Sequence, residues 1–200
     1  MGVTQRTLPL RFVQSAAEVR QLPGTRAEIA FVGRSNVGKS SLLNALTGQR
    51  KLAKVSSKPG RTQLLNLFAT EDGAAIVDLP GFGYAATAPK ATRDAWRRRM
   101  EQYLRQRPSL VLTLLLVDGE VGPTKLDTEM LAWLREHHLP FRVVATKHDK
   151  VKASKRQRRK RDLAEGCGLA PDDVLWVSAE KGVGLDALRE LIAETLGATA

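Results

Sequence analysis

The chain has 200 residues, 42% of them hydrophobic, which suits one domain of ordinary size around a single sizeable core and argues against a two-domain enzyme. Its 32 Lys and Arg against 21 Asp and Glu give a formal net charge of +11, so polyanions are favoured partners and basic proteins or cationic substrates are not. The longest nearly apolar run, Leu110 to Val117, falls far short of the roughly 20 residues that cross a bilayer, which leaves nucleic acid or an anionic membrane surface.

The N-terminus has no apolar signal-peptide core, and Arg6 stands where a myristoylation signal wants Ser or Thr. Residues 1–17 lack acids, a feature shared with organellar presequences, but the default expectation is a cytoplasmic protein. The single Cys167 has no intrachain disulfide partner, and no His or acid is spaced around it for nucleophilic chemistry. His137, His138 and His148 likewise show no metal-ligand spacing, which disfavours zinc.

Residues 1–26, with Pro9 and Pro23-Gly24, read as an N-terminal extension lying against a domain over 27–200. Short apolar runs then alternate with longer helical patterns, the signature of βαβ units and a mostly parallel sheet. Strands are predicted near Glu28–Val32, Gln63–Ala69, Ala74–Asp78, Leu110–Val117, Phe141–Ala145 and Val174–Val177. Helices are predicted near Lys39–Leu46, Thr92–Gln106, Leu126–His137, Ser154–Glu165 and Leu185–Thr195. In the second helix Trp96, Met100, Tyr103 and Leu104 recur at helical spacing, so they are expected to face the sheet while most of its arginines meet water.

The charge is local. Lys150, Lys152, Lys155, Arg156, Arg158, Arg159, Lys160 and Arg161 follow one another with no acid between them, and six arginines lie between Arg93 and Arg107 against only Asp94 and Glu101. Together these stretches account for the whole excess, and the rest of the chain is about neutral. The first run would repel itself on an isolated helix, each like-charged i,i+4 pair costing a few tenths of a kcal/mol, which suggests an anionic partner over a merely solvated face. A membrane surface would want apolar residues beside the charge, and Ser154–Arg161 has none, so RNA is the expected partner.

Gly33-Arg34-Ser35-Asn36-Val37-Gly38-Lys39-Ser40 matches G-x-x-x-x-G-K-[ST] between an apolar strand and a helix. At this composition a chance match is about one in a hundred before that context is required. Its glycines let the backbone wrap a phosphate at the positive end of the following helix. Lys39 adds a cation for the β/γ oxygens, and Ser40 a hydroxyl for Mg²⁺. Asp78-Leu79-Pro80-Gly81 closes another strand, placing Asp78 to hold Mg²⁺ through water and the Gly81 N–H to reach a γ-phosphate. Thr146-Lys147-His148-Asp149 resembles the guanine-reading N/T-K-x-D motif. Asp149 would accept from guanine N1–H and its 2-amino group, and would be left unpaired by adenine. Ser178-Ala179-Glu180-Lys181 resembles S-A-x-K, in which the Ala N–H meets guanine O6. All four segments follow strands in the order that open α/β sheets use to bind ligands.

With the further wording Gly33 to Leu43 (GRSNVGKSSLL, including Ser41), Lys58 to Gln63 (KPGRTQ) and Asp78 to Tyr84 (DLPGFGY), the chain resembles the translation-factor-related (TrmE-Era-EngA-like) GTPases and, more closely, the EngB (YihA/YsxC) family of ribosome-biogenesis GTP-binding proteins. The likeness runs from about residue 10 to the C-terminal helix. It implies a three-layer P-loop GTPase domain whose six-stranded, mostly parallel sheet has one antiparallel strand, Gln63–Ala69, and helices on both faces. It implies GTP/GDP and Mg²⁺ as cofactors, with the nucleotide held by residues 33–41, Gly60, Arg61, Thr62, residues 78–81, Thr146, Lys147, Asp149, Ser178, Ala179 and Lys181. Ser40, Thr62 and Asp78 are the implied metal ligands, and Lys39, Thr62 and Gly81 the catalytic set, Thr62 being the switch threonine that senses the γ-phosphate. Without its context Thr62 reads more readily as a turn hydroxyl making a local backbone bond. The implied switch segments are residues 49–62 and 79–92. Assembly of the large ribosomal subunit, with a link to cell division and septation, is the implied role.

Two departures from the general GTPase pattern stand out. Phe82 occupies the place of the glutamine that orients attacking water in Ras-like proteins, so intrinsic hydrolysis is expected to be slow. Thr146 replaces the commoner Asn, as it often does in the resembled family. Asn36 is open to two readings, a K⁺ site beside the phosphates or a loop-stabilising hydrogen bond. The sequence thus predicts a cytoplasmic, monomeric GTPase that binds ribosomal particles or rRNA through Lys150–Arg161 and Arg93–Arg107, and neither membrane nor DNA. A P-loop ATPase or kinase is disfavoured by Lys147 and Asp149. A nucleotide-stabilised RNA-binding scaffold without turnover is the alternative that Phe82 keeps open.

Overall fold

A computed structural model describes residues 7–53, 64–82 and 90–197. Among these described residues seven strands form one sheet: β1 (Arg11–Ala16), β2 (Ala27–Gly33), β3 (Leu65–Ala69), β4 (Ala74–Asp78), β5 (Leu110–Asp118), β6 (Phe141–Thr146) and β7 (Val174–Trp176). Five α-helices accompany them: α1 (Lys39–Thr47), α2 (Lys90–Gln106), α3 (Lys125–Glu136), α4 (Arg156–Gly166) and α5 (Leu185–Gly197). The order across the sheet is β1-β3-β4-β2-β5-β6-β7. Strand β3 runs against both its neighbours, and every other pairing is parallel, so the expectation of one reversed strand holds.

The expected six strands are corrected to seven. Residues 11–16, which the sequence places in an N-terminal extension, lie in the sheet as its edge strand, antiparallel to β3. Arg11, Phe12, Val13 and Ser15 are exposed there, and an edge strand open to water lacks the alternating apolar pattern that marks the others. The β1–β3 register slips between Phe12 and Gln14, leaving Val13 as an extra residue. At the opposite edge β7 is only three residues long.

Strand parity sorts the core into two layers. Ala30, Val32, Leu115, Val117, Val143 and Ala145 face Met100, Tyr103 and Leu104 of α2, Met130, Leu131 and Leu134 of α3, and Leu163 and Ala164 of α4. Ile29, Phe31, Leu114, Leu116 and Val144 face Leu42, Leu43 and Leu46 of α1 and Leu188, Ile192 and Leu196 of α5. Both basic stretches therefore lie on one side of the sheet, with α3 among them. Helix α3 starts at a reciprocal cap between Thr124 and Asp127. A buried polar cluster ties α2 to β2: the carboxylate of Glu28, wholly buried, accepts from Tyr103 Oη at 2.7 Å, Arg107 Nη2 at 2.6 Å and Thr25 Oγ1 at 2.5 Å. Tyr103 titrates well above the usual tyrosine range, through its burial and the Glu28 charge beside it.

Candidate nucleotide-binding site

In parallel α/β sheets the strand ends converge on one rim, and the phosphate-loop, Asp78, Thr146 and Ser178 segments all fall on it. Strand β2 delivers Gly33 against β5, where a Cβ would stand 2.8 Å from the Leu116 carbonyl oxygen. The loop then turns through Asn36 at φ 63° and Gly38 at φ 104°, both left-handed. Gly38 is the N-cap of α1, and no side chain caps that helix, so the backbone opens its positive end toward a ligand. Asn36 is exposed, Lys39 and Ser40 are half-buried, and Val37 is buried.

The β4 end lies against this loop. Asp78 is buried, its Oδ1 is 4.0 Å from Lys39 Nζ, and that oxygen has no hydrogen-bond partner among the described residues. Burial, only partly offset by the Lys39 charge, pushes the Asp78 carboxyl up to about 6. A buried carboxylate oxygen without a donor, beside the helix start that carries the Ser40 hydroxyl, fits an Mg²⁺ ion and its water shell. Beyond Asp78 the backbone pairs with the phosphate loop: Ser35 N–H donates to Phe82 O at 3.0 Å, and Phe82 N–H to Gly33 O at 3.1 Å. A Cβ on Gly81 would meet Ser35 backbone N at 2.8 Å, so only glycine fits. The Phe82 ring is 5% exposed and packs into the core.

The remaining segments follow β6 and β7. Thr146 Oγ1 donates to Val37 O at 2.6 Å, joining the base-reading motif to the phosphate loop. Lys147 sits at φ 57°, and its Nζ donates to Asp118 Oδ2 at 2.7 Å. Ser178 Oγ donates to Asp149 Oδ1 at 2.6 Å and accepts from Lys181 N–H at 3.0 Å, which joins the two guanine motifs. Burial alone would raise the Asp149 carboxyl, but the Ser178 hydrogen bond and the Lys150 charge hold it below the usual carboxylate range. Asp149 is thus a fixed anion whose second oxygen, Oδ2, has Lys150 Nζ 3.6 Å away.

The structure brings the residues at 33–41, 78–81, 146–149 and 178–181 to one rim. Gly60, Arg61 and Thr62 lie outside the described residues, as do the rest of residues 54–62 of the first expected switch segment and residues 83–89 of the second. Two of the residues singled out in the sequence have further partners. Lys150 is engaged with Asp149 and Glu180, at 3.6 and 3.3 Å, and so belongs to the base-reading loop more than to the basic run. The Arg34 guanidinium pairs with the start of α3, its Nε 3.2 Å from Asp127 Oδ2.

Sequence reasoning missed Asp118 and Asp127. Asp118 Oδ1 accepts the N–H groups of Glu120 at 3.0 Å and Val121 at 3.2 Å while Oδ2 takes Lys147. The signal was present, since Asp118-Gly119 ends an apolar strand as Asp78 does. Asp127 anchors Arg34 while capping α3, a pairing between segments far apart in the chain that no local pattern encodes.

The family model described as 50S ribosome-binding GTPase matches residues 28–147. A "Probable GTP-binding protein EngB" of Pelotomaculum thermopropionicum is 43% identical over 188 residues, which cover 93% of this chain and 94% of that protein. The crystal structure of a probable GTP-binding protein engB superimposes with a TM-score of 0.69 at 28% identity, over 86% of this chain and 100% of the other. Era, in its complex with MgGDPNP and nucleotides 1506–1542 of 16S ribosomal RNA, gives a TM-score of 0.63 at 27% identity, over 85% of this chain and 56% of that one. By motif, fold and overall similarity, the chain belongs to the EngB family of GTP-binding proteins, within the P-loop GTPases.

Proposed function

We propose that this protein is an Mg²⁺-dependent switch that hydrolyses GTP to GDP and phosphate during assembly of the large ribosomal subunit, in the cytoplasm and as a monomer. The observation that carries the reading is the Thr146–Val37 hydrogen bond, because it locks the base-reading and phosphate-binding segments into one continuous site on one rim of the sheet. In that site residues 36–41 cradle the phosphates with backbone N–H groups and Lys39 neutralises the β/γ oxygens. Asp149, held by Ser178, accepts from the guanine edge, while the Ala179 N–H meets its O6 and Lys181 closes the loop. Ser40, Asp78 and Thr62 would hold Mg²⁺, which when bound spreads the charge that develops on the transferred phosphoryl group. Gly81, pressed against Ser35, presents its N–H toward the γ-phosphate position. Gly60 and Arg61 are assigned with Thr62 to the nucleotide by the family resemblance, and Leu79 and Pro80 lead into Gly81.

The buried Phe82 ring offers nothing to orient water, so hydrolysis by the free protein is slow and a partner or a K⁺ ion beside Asn36 supplies what is missing. Arg97, Arg98 and Arg105 on α2, with Arg158 and Arg161 on α4, are exposed on the same side of the sheet, a surface suited to the phosphates of rRNA, the expected partner in place of membrane or DNA. The RNA-bound Era neighbour and the ribosome-binding family description support this partner. The link to cell division and septation follows from the family resemblance. Single-turnover hydrolysis with and without large ribosomal subunits, in K⁺ and in Na⁺, tests the reading. Stimulation by subunits is expected, and GTP left intact under all four conditions would instead establish a binding scaffold without turnover, the alternative that Phe82 keeps open.

A further inference from the structure

The two strand ends that flank the base-reading rim are paired residue to residue, Asp118 on β5 opposite Thr146 on β6. That register places the next residue, Lys147, beside the Asp118 carboxylate, and the left-handed turn at Lys147 aims its side chain there. A non-glycine residue in this conformation is strained, and such strain persists where the surroundings over-determine it. Asp118 is 6% exposed in its side chain and uses both oxygens: Oδ1 shapes the loop after β5 through the Glu120 and Val121 N–H groups, and Oδ2 grips Lys147 Nζ. Lys147 itself is 34% exposed in its side chain, so without this grip a long, flexible cation would sweep the mouth of the site. We infer that Asp118 is a positioning residue for nucleotide binding, which orders Lys147 in advance so that the base finds the lysine stem already in place. This rests on the guanine-site reading above. Ordering one lysine side chain in the free protein instead of at the moment of binding is equivalent to about tenfold in affinity.

Asp118→Asn keeps an oxygen for the two loop N–H groups and removes only the charge that grips Lys147, so it separates positioning from loop structure. In calorimetric titrations of the full chain, Asp118→Asn is expected to weaken GDP and a non-hydrolysable GTP analogue alike, by about tenfold. It should raise KM for GTP while leaving the single-turnover rate at saturation unchanged, since uniform binding is lost and no transition-state contact is touched. In a Lys147→Ala background the same substitution should add no further loss. Unchanged affinity in Asp118→Asn, or a full additional loss in the double variant, would overturn the inference, the second by showing that Asp118 acts through the loop alone. Wild-type protein that binds ADP as tightly as GDP would overturn the guanine-site reading itself, whatever Asp118→Asn does.

Discussion

Single residues at the rim divide into those that serve the nucleotide in either state and those that sense its terminal phosphate. Lys39 Nζ lies 4.0 Å from Asp78, at the start of α1, where the proposed site would receive the β-phosphate of GDP and GTP alike. Lys39→Ala is therefore expected to abolish binding of both nucleotides in a titration, whereas Thr62→Ala should spare GDP and weaken only the triphosphate. Equal losses for the two nucleotides in Thr62→Ala would remove its switch role. Asp149→Asn should trade guanine for xanthine, because the amide can donate to the xanthine 2-oxo group that a carboxylate repels. Retained preference for GTP over xanthosine triphosphate would show that the base is read elsewhere. The orphaned Asp78 oxygen gives a stability signature as well. Asp78→Asn removes a charge held in a desolvated place, so the nucleotide-free variant should gain roughly 1–2 kcal/mol of unfolding free energy and melt at a higher temperature, while losing Mg²⁺-dependent tightening of GTP. A lower melting point would mean that the Lys39–Asp78 pair is net stabilising. At this scale the sequence was informative about residue identity and blind to pairing. Lys39, Asp78 and Asp149 stand out by motif, but the partners Val37 O for Thr146 and Asp118 for Lys147 depend on which strand ends lie side by side.

At the level of elements, α2 joins two jobs. Its first turn lies within the expected second switch segment, residues 79–92, and its last turns are clamped by the buried Glu28 cluster. Loss of the Tyr103 hydroxyl leaves Glu28 with its arginine, so Tyr103→Phe should cost about 1–2 kcal/mol in urea unfolding, whereas Arg107→Ala strands a buried carboxylate and should cost about 3–5 kcal/mol. Similar costs for both would show that the Arg107 ion pair is not what holds the Glu28 cluster together. Helix α4 carries the more testable surface. Reversing Arg156, Arg158 and Arg159 to Glu should flatten the salt dependence of ribosome binding, by roughly 0.7 to 0.9 log units per tenfold salt for each phosphate no longer neutralised, and leave GTP affinity unchanged. Undiminished ribosome affinity in a filter-binding salt series would reduce α4 to a solvated face, with Arg158 paired to Asp162 at 3.6 Å. The elements were legible to within a residue or two wherever the 3.6- or two-residue period reported a buried face, as in Ala74–Asp78, predicted and found with the same ends. Strand β1 escaped because its pairing partner lies about 50 residues away and most of its side chains meet water.

Across the whole molecule the charge is one-sided. The side of the sheet covered by α2, α3 and α4 bears both basic stretches, so a polyanion would see a directional surface, and many copies could gather along one RNA. Crowding of that kind cancels the mutual repulsion that a net charge of +11 provides in free solution, and with it the electrostatic barrier to association. What still keeps neighbouring copies apart is then shape. A regular, flat outer strand would offer its unpaired N–H and C=O groups as a template for the next sheet, and here one outer strand is bulged at Val13 while the other, β7, spans three residues. Deleting Val13 to restore an even ladder should leave dilute protein folded but make it scatter light once mixed with RNA at high occupancy. Clear solutions of that variant on RNA would assign the protection to something other than the bulge. If the basic side binds RNA as proposed, the irregular edge is expected to act as a colloidal safeguard for the bound state, under the very conditions in which like charge no longer does.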